Sequence, residues 1–192
     1  MPDSLPELPM LASDRLVLRL LGSEFAVPVA EYFARNRAFA QLWNPLTPET
    51  FYTTDWQRER LVYDLDEYQT GRMLRFWLFR RADTQFTRVI GHVGLNNIVR
   101  GALHGCFVGY MIDEAAINQG LMTEAMRAVI GYAFGSFGLH RLEANIMPRN
   151  AQSLRVAEKL GFVREGLSPK YLRINGVWED HYRYSLINPH EV

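Results

Sequence analysis

The stretch from His104 to Phe134 constrains the fold of this 192-residue chain more than any other. It opens with a β-prone run, His104-Gly-Cys-Phe-Val-Gly-Tyr-Met-Ile112, in which Phe107, Val108, Tyr110 and Ile112 favour an extended strand. It closes with Leu121 to Phe134, where Leu121, Ala125, Ala128, Val129 and Tyr132 recur at helical spacing. Apolar residues also occupy much of the opposite face, which predicts a mostly buried helix. Between the two lies a short polar joint, Asp113-Glu-Ala-Ala-Ile-Asn-Gln-Gly120. A buried helix with Asn118 and Gly120 at its mouth presents free backbone N–H groups, and so a site for an anion. The same residues equally describe an ordinary joint with a capping Asn and a permissive Gly.

The length suits one domain with a sizeable core. Lysine and arginine number 21, as do aspartate and glutamate, so the formal net charge is +0. A neutral chain has no bias toward a free polyanion, and no direct nucleic-acid partner is expected. One cysteine, Cys106, excludes an internal disulfide framework and any cysteine-rich metal site. The five histidines, at 92, 104, 140, 181 and 190, show no metal-ligand spacing, so no metal is expected. The proline-rich start, residues 1–10, has neither the basic head nor the apolar run of a signal peptide, and no stretch approaches a membrane span. The expectation is a cytoplasmic protein with no membrane partner, a loose arm over 1–12 and one domain over 13–192.

Along the chain, residues 15–20 alternate as a first strand, and Gly22-Ser23-Glu24 opens a helix to about Asn36 with Ser23 as candidate cap. Trp56, Leu61, Leu65 and Tyr68 restore helical spacing, with Gly71 as terminator. The runs 74–79, 89–95 and 104–112 predict three strands in an antiparallel meander. Gly91, Gly94, Gly105 and Gly109 in these strands mark bulges or close approaches of backbone. Residues 141–146 read as a strand, and Asn150 caps a helix that Gly161 stops. Asn175-Gly176 joins 171–174 to 177–178 as a hairpin, after a shorter strand that starts at Phe162. The chain reads as mixed α/β rather than doubly wound.

Several blocks carry a family resemblance: Asn96 to Gly101 with His104 to Tyr110, Gly120 to Ala125, Asn150 to Ser153 with Glu158 to Phe162, and the tail Tyr171 to Asp180. With these, the chain resembles the GCN5-related N-acetyltransferases (GNAT), and among them the bacterial enzymes that acetylate the N-terminal amine of ribosomal proteins, the ribosomal protein S5 alanine type. The resemblance implies an α/β single-domain acyl-CoA N-acyltransferase fold, with a mixed, mostly antiparallel central sheet flanked by helices. It implies acetyl-CoA as co-substrate and no metal. Where the family's pyrophosphate loop commonly starts with Arg or Gln, this chain has Ile117.

The resemblance further implies a cofactor site made of Met111, Ile112, Asn118, Gln119, Gly120, Leu121, Met122, Thr123, Asn150 and Ser153. Ser153 is expected to hydrogen-bond the departing sulfur, and the Tyr110 or Met111 amide to face the thioester oxygen. In the better understood relatives a late-strand carboxylate acts as base, but the matching position here is Leu172. Glu165 is the nearest carboxylate and a candidate catalytic residue, and His104 a second; each also reads as structural. Glu124 is expected to pair with Arg127 or to favour the helix start. Arg149, Arg155 and Lys159 are candidates for the coenzyme's ribose phosphate, or a solvated helix face. The expected partner is a protein N-terminus, of a ribosomal protein with Ala or Ser first, in a pocket walled by Trp43, Phe76 and Trp77. The enzyme is expected to be a monomer or a weak homodimer. The alternatives are a small-molecule amine as acceptor, or a coenzyme A-binding regulatory protein without turnover.

Overall fold

A computed structural model of the protein describes residues 8–190. Its eight strands are β1 Met10–Ala12, β2 Leu16–Arg19, β3 Leu74–Arg80, β4 Gly91–Val99, β5 Gly105–Ile112, β6 Arg141–Ile146, β7 Val163–Ile174 and β8 Val177–Ile187. They form one sheet in the order β1-β2-β3-β4-β5-β6-β8-β7. Every neighbouring pair is antiparallel except β5 and β6. That parallel pair needs a crossover, and the buried helix predicted from sequence supplies it.

Five helices flank the sheet: α1 Ala26–Arg35, α2 Arg37–Gln41, α3 Thr54–Gln69, α4 Leu121–Phe134 and α5 Ala151–Lys159. Strand β3 explains why both sides are covered. Its Phe76 and Leu78 belong to the core that contains Leu121, Ala125 and Val129 of α4, whereas Trp77 and Phe79 join Val29, Tyr32 and Leu61 of α1 and α3. A strand buried on both faces reads as a near-continuous apolar run, as Leu74 to Phe79 does. Phe76 and Trp77 are therefore core residues of opposite layers and not pocket walls, which corrects the sequence expectation.

A charged pair is buried with α3. Arg75 Nη1 lies 2.8 Å from Asp64 Oδ2, and Arg60 Nε lies 2.8 Å from Asp64 Oδ1. In the same layer, α1 anchors the end of β5. The Tyr32 hydroxyl donates to the Met111 carbonyl at 3.3 Å, Arg35 Nε pairs with Asp113 Oδ2 at 2.8 Å, and Asn36 Oδ1 accepts the Glu114 amide at 2.9 Å. These contacts fix where β5 stops and the joint begins.

Other differences from the sequence reading are local. Met10–Ala12 is a strand paired with β2, so the loose arm does not extend to residue 12; its first seven residues lie outside the described residues. Ser23 makes no capping hydrogen bond, and Gly22 precedes a short 3-10 turn ahead of α1. The shorter strand and the hairpin arm are one twelve-residue strand, β7, with register shifts between Arg164 and Gly166 and between Ser168 and Leu172. Asn175 and Gly176 both take positive φ, 44° and 83°, as a two-residue hairpin turn requires.

Candidate active site

The parallel strands β5 and β6 stay together only briefly. They pair at Gly105↔Arg141, Cys106↔Leu142 and Phe107↔Glu143, and no further. The close start has a steric cause: a Cβ on Gly105 would sit 2.8 Å from the Arg141 carbonyl oxygen. Beyond Phe107 the strands part, and a cavity of about 590 Å³ occupies the wedge. That volume is within the range of small-molecule sites. Gly109, Tyr110, Met111 and Ile112 line it from β5, and Ala144, Asn145 and Ile146 from β6.

The joint before α4 forms one end. Asn118 has φ 58° and Gly120 φ 75°, and no side chain caps the helix. The first-turn amides of α4 thus keep their N–H groups free of intrahelical partners, at the positive end of a fourteen-residue helix. Leu121, Met122 and Thr123 line the cavity there. Left-handed residues in such a joint gather successive N–H groups into a concavity that suits phosphate oxygens. Arg15 Nη1 holds the Gln119 carbonyl at 3.0 Å and Arg80 Nη2 the Gln119 side-chain oxygen at 2.8 Å, bracing the joint from outside.

Helix α5 forms the facing edge. Asn150 Oδ1 accepts the Ser153 amide at 3.1 Å, so Asn150 is an N-cap as its sequence position predicts. The Tyr110 hydroxyl donates to the Ser153 carbonyl at 3.2 Å. Burial pushes that phenol up to about 12, so it remains a neutral donor at working pH. Ser153 lines the cavity with Arg155 and Lys159 beside it.

A search against family profiles matches residues 15–163 to the acetyltransferase (GNAT) domain. The chain belongs to the GNAT acetyltransferase family. The chain is 42% identical over 156 residues to the probable N-acetyltransferase YjcK of Bacillus subtilis (strain 168), covering 81% of this chain and 84% of that one. It is 38% identical over 180 residues to the [ribosomal protein uS5]-alanine N-acetyltransferase of Escherichia coli (strain K12), covering 93% and 91%. The crystal structure of ribosomal-protein-S5-alanine acetyltransferase from Vibrio fischeri superposes with a TM-score of 0.89 at 35% identity, covering 95% and 98%. As a GNAT enzyme the protein is an acetyl-CoA-dependent N-acetyltransferase. Its cavity fits that co-substrate: an uncapped helix start suits a pyrophosphate, a β5 edge without a β6 partner suits an extended arm, and two cations, Arg155 and Lys159, stand in the lining.

Most residues expected of the GNAT site meet here. Tyr110, Met111, Ile112, Asn118, Gly120 and Leu121 line the cavity, as do Met122, Thr123, Asn150 and Ser153. Ile117 lines it too, and packs against the core rather than offering a charge. Two expected residues do not. Gln119 turns away, with its amide nitrogen on the Ala115 carbonyl at 3.1 Å and its oxygen on Arg80. Glu165 lies outside the cavity. Its carboxylate accepts Arg141 Nη2 and the Ser185 hydroxyl, both at 2.6 Å, and these bonds hold its pKa below the usual glutamate value. Both of its oxygens are thus engaged away from the wedge.

Three further expectations are resolved. Glu124 stands in the first turn of α4, as one of its two readings has it, and pairs across the fold with Arg15 and Ser13 rather than with Arg127. Arg149 is committed to Glu179 at 2.8 Å and to the Leu42 carbonyl, and it lies over the Trp43 ring. His104 contacts Arg100 and is not part of the cavity wall. The residues that sequence reasoning missed are Asn145, Tyr171 and His181, which share one wall. Their only sequence signal is the run of polar and aromatic residues around the hairpin. Strict alternation on β8 sends His181 to the face opposite Tyr182, and it gives no hint that this face meets a cavity.

Proposed function

We propose that the enzyme transfers the acetyl group of acetyl-CoA to the N-terminal α-amine of a protein, one whose first residue is Ala or Ser, and that a ribosomal protein is the natural acceptor. The observation that carries this reading is the charge of the cavity wall. Among the described residues that line it there is no aspartate or glutamate. A lysine or polyamine acceptor, with an amine pKa near 10.4, arrives cationic and needs a carboxylate to hold and deprotonate it. An α-amine with a pKa of about 7.7–8.0 is partly neutral at pH 7 and needs neither. The similarity to the uS5-alanine N-acetyltransferase supports the same acceptor.

Acetyl-CoA supplies the acyl group already activated as a thioester. The residues of this chain do the positioning. The amides of 118–123 would hold the pyrophosphate, and the edge of Gly109 to Ile112 that faces away from β4, beyond the last residue paired with β6, would pair with the pantetheine arm and present an N–H to the carbonyl oxygen as charge grows there. The Ser153 hydroxyl donates to the sulfur as it leaves. Phe39, Trp43 and Leu172 add apolar lining suited to a small first side chain. The test uses two peptides, one with a free N-terminal Ala and arginine in place of lysine, the other N-blocked with one internal lysine. A higher kcat/KM for the first supports the reading, and a higher value for the second overturns it. Activity on neither, with turnover of a small amine, moves the acceptor to that class.

A further inference from the structure

His181 lines the cavity and is 3% exposed. Its Nδ1 lies 3.0 Å from the Glu179 carbonyl oxygen. A carbonyl only accepts, so Nδ1 carries the ring hydrogen and Nε2 keeps its lone pair. Among the described residues no hydrogen bond occupies Nε2, and Nε2 is not one of the fully buried polar atoms left without a partner. The ring is held in place. Tyr171 meets it edge to face with 5.6 Å between centroids, and the Tyr171 hydroxyl lies 3.5 Å from Asn145 Nδ2 on β6. An imidazole with a fixed tautomer, a fixed plane and an unengaged nitrogen on a cavity wall has the form of a general base.

We infer that His181 is the base of this enzyme: its Nε2 takes the proton that the acceptor amine gives up. This rests on the acceptor reading above. The amine nitrogen forms a bond to the acetyl carbon as the carbon–sulfur bond breaks, and that electron pair leaves on sulfur. The proton from nitrogen moves to Nε2, and the imidazolium then releases it to the thiolate or to water, so the ring returns to its starting state. The task suits this cavity, which has no carboxylate among the described residues of its wall, and it replaces the late-strand carboxylate whose position here is Leu172. The charged and titratable groups around the ring are Glu179 and Asp180 on its own strand, Arg149 before α5 and Tyr171 on β7. Burial outweighs the two carboxylates and lowers the histidine below its ordinary value, so the ring is neutral and ready to accept at pH 7.

The test compares wild type, His181→Gln and His181→Ala on the free N-terminal Ala peptide, with coenzyme A affinity measured by calorimetry. Both variants should keep that affinity and lose roughly 100-fold in kcat, the lower end of general-base contributions. The acid limb of the kcat profile in wild type should vanish in His181→Gln, and imidazole should restore part of the activity of His181→Ala. Nitrogen-15 spectra of the free wild-type protein should show the Nδ1–H tautomer for this ring. Full activity of both variants, or the opposite tautomer, overturns the role of His181 alone. Wild type inactive on every N-terminal peptide overturns the acceptor reading and this inference with it. If the variants lose coenzyme A affinity or fold together with activity, and imidazole restores nothing, His181 is a packing residue and the inference fails.

Discussion

The Tyr110 hydroxyl donates to the Ser153 carbonyl over 3.2 Å and so ties β5 to α5 across the mouth of the sheet's wedge. Two elements 43 residues apart in sequence are joined by one bond at the point where the strands have separated. Tyr110→Phe keeps the ring and removes the bond. The expected cost is about 1 kcal/mol of stability, with a lower kcat because the start of α5 is no longer fixed. Denaturant unfolding and steady-state kinetics on the same variant check it, and unchanged values in both would show that packing alone positions α5.

Ser153→Ala should lower turnover more than it lowers coenzyme A affinity. The Ser153 amide already bonds to Asn150, so capping survives the change and only the hydroxyl is lost. A hydrogen bond to developing charge contributes on the order of 1.5–3 kcal/mol, which predicts a kcat reduced roughly 10- to 150-fold. Kinetics at saturating acetyl-CoA, with calorimetry for binding, separates the two effects.

Gly120→Glu should abolish coenzyme A binding in a folded protein. The position has φ 75°, where any side chain costs about 1–2 kcal/mol, and the new carboxylate would stand at the proposed phosphate site. Gly120→Ala is the control for strain alone, since a Cβ there meets nothing nearer than Arg15 Nη2 at 3.6 Å. Calorimetry should rank affinity as wild type, then Ala, then Glu. Equal affinity for Ala and Glu would exclude charge as the cause.

His92 sets a pH dependence of stability. It is enclosed by Tyr32, Phe33 and Trp77, and burial lowers its pKa from 6.5 to about 3. Between those values the unfolded chain binds the proton and the folded one does not, so stability falls as pH drops from 6.5 toward 3. His92→Phe removes that proton uptake within an aromatic cluster. Its unfolding free energy should decline less steeply than that of wild type between pH 6.5 and 4.5, and parallel curves would count against the assignment.

Glu165→Gln should leave kcat/KM near the wild-type value, because the carboxylate serves Arg141 and Ser185 outside the cavity. The lost ion pair is partly exposed and should cost less than about 1 kcal/mol. A large loss of kcat in a stable variant would return Glu165 to the reaction.

Most strands and helices were legible in the residues because they depend on local periodicity, whereas β1, the five-residue α2 and the continuity of β7 were not. The β5 run, the apolar face of α4, the Asn150 cap and the Asn175-Gly176 turn each declare themselves within a few positions. The cofactor end of the site was legible for the same reason, since it is built from one contiguous joint and the helix after it. What the amino-acid order alone did not reveal is the separation of β5 from β6 after three paired residues. That divergence is a property of the whole sheet, and it decides which residues face the wedge. It brings His181, Tyr171 and Asn145 to one cavity from β8, β7 and β6, although none is near Tyr110 in sequence. It also removes Glu165, which is close to the site along the chain but is drawn to Arg141 by a charge no local pattern pairs with it. Phe76 and Trp77 went wrong by the same logic: alternation shows that they point opposite ways, and only the helices packed on both faces decide that each direction is core.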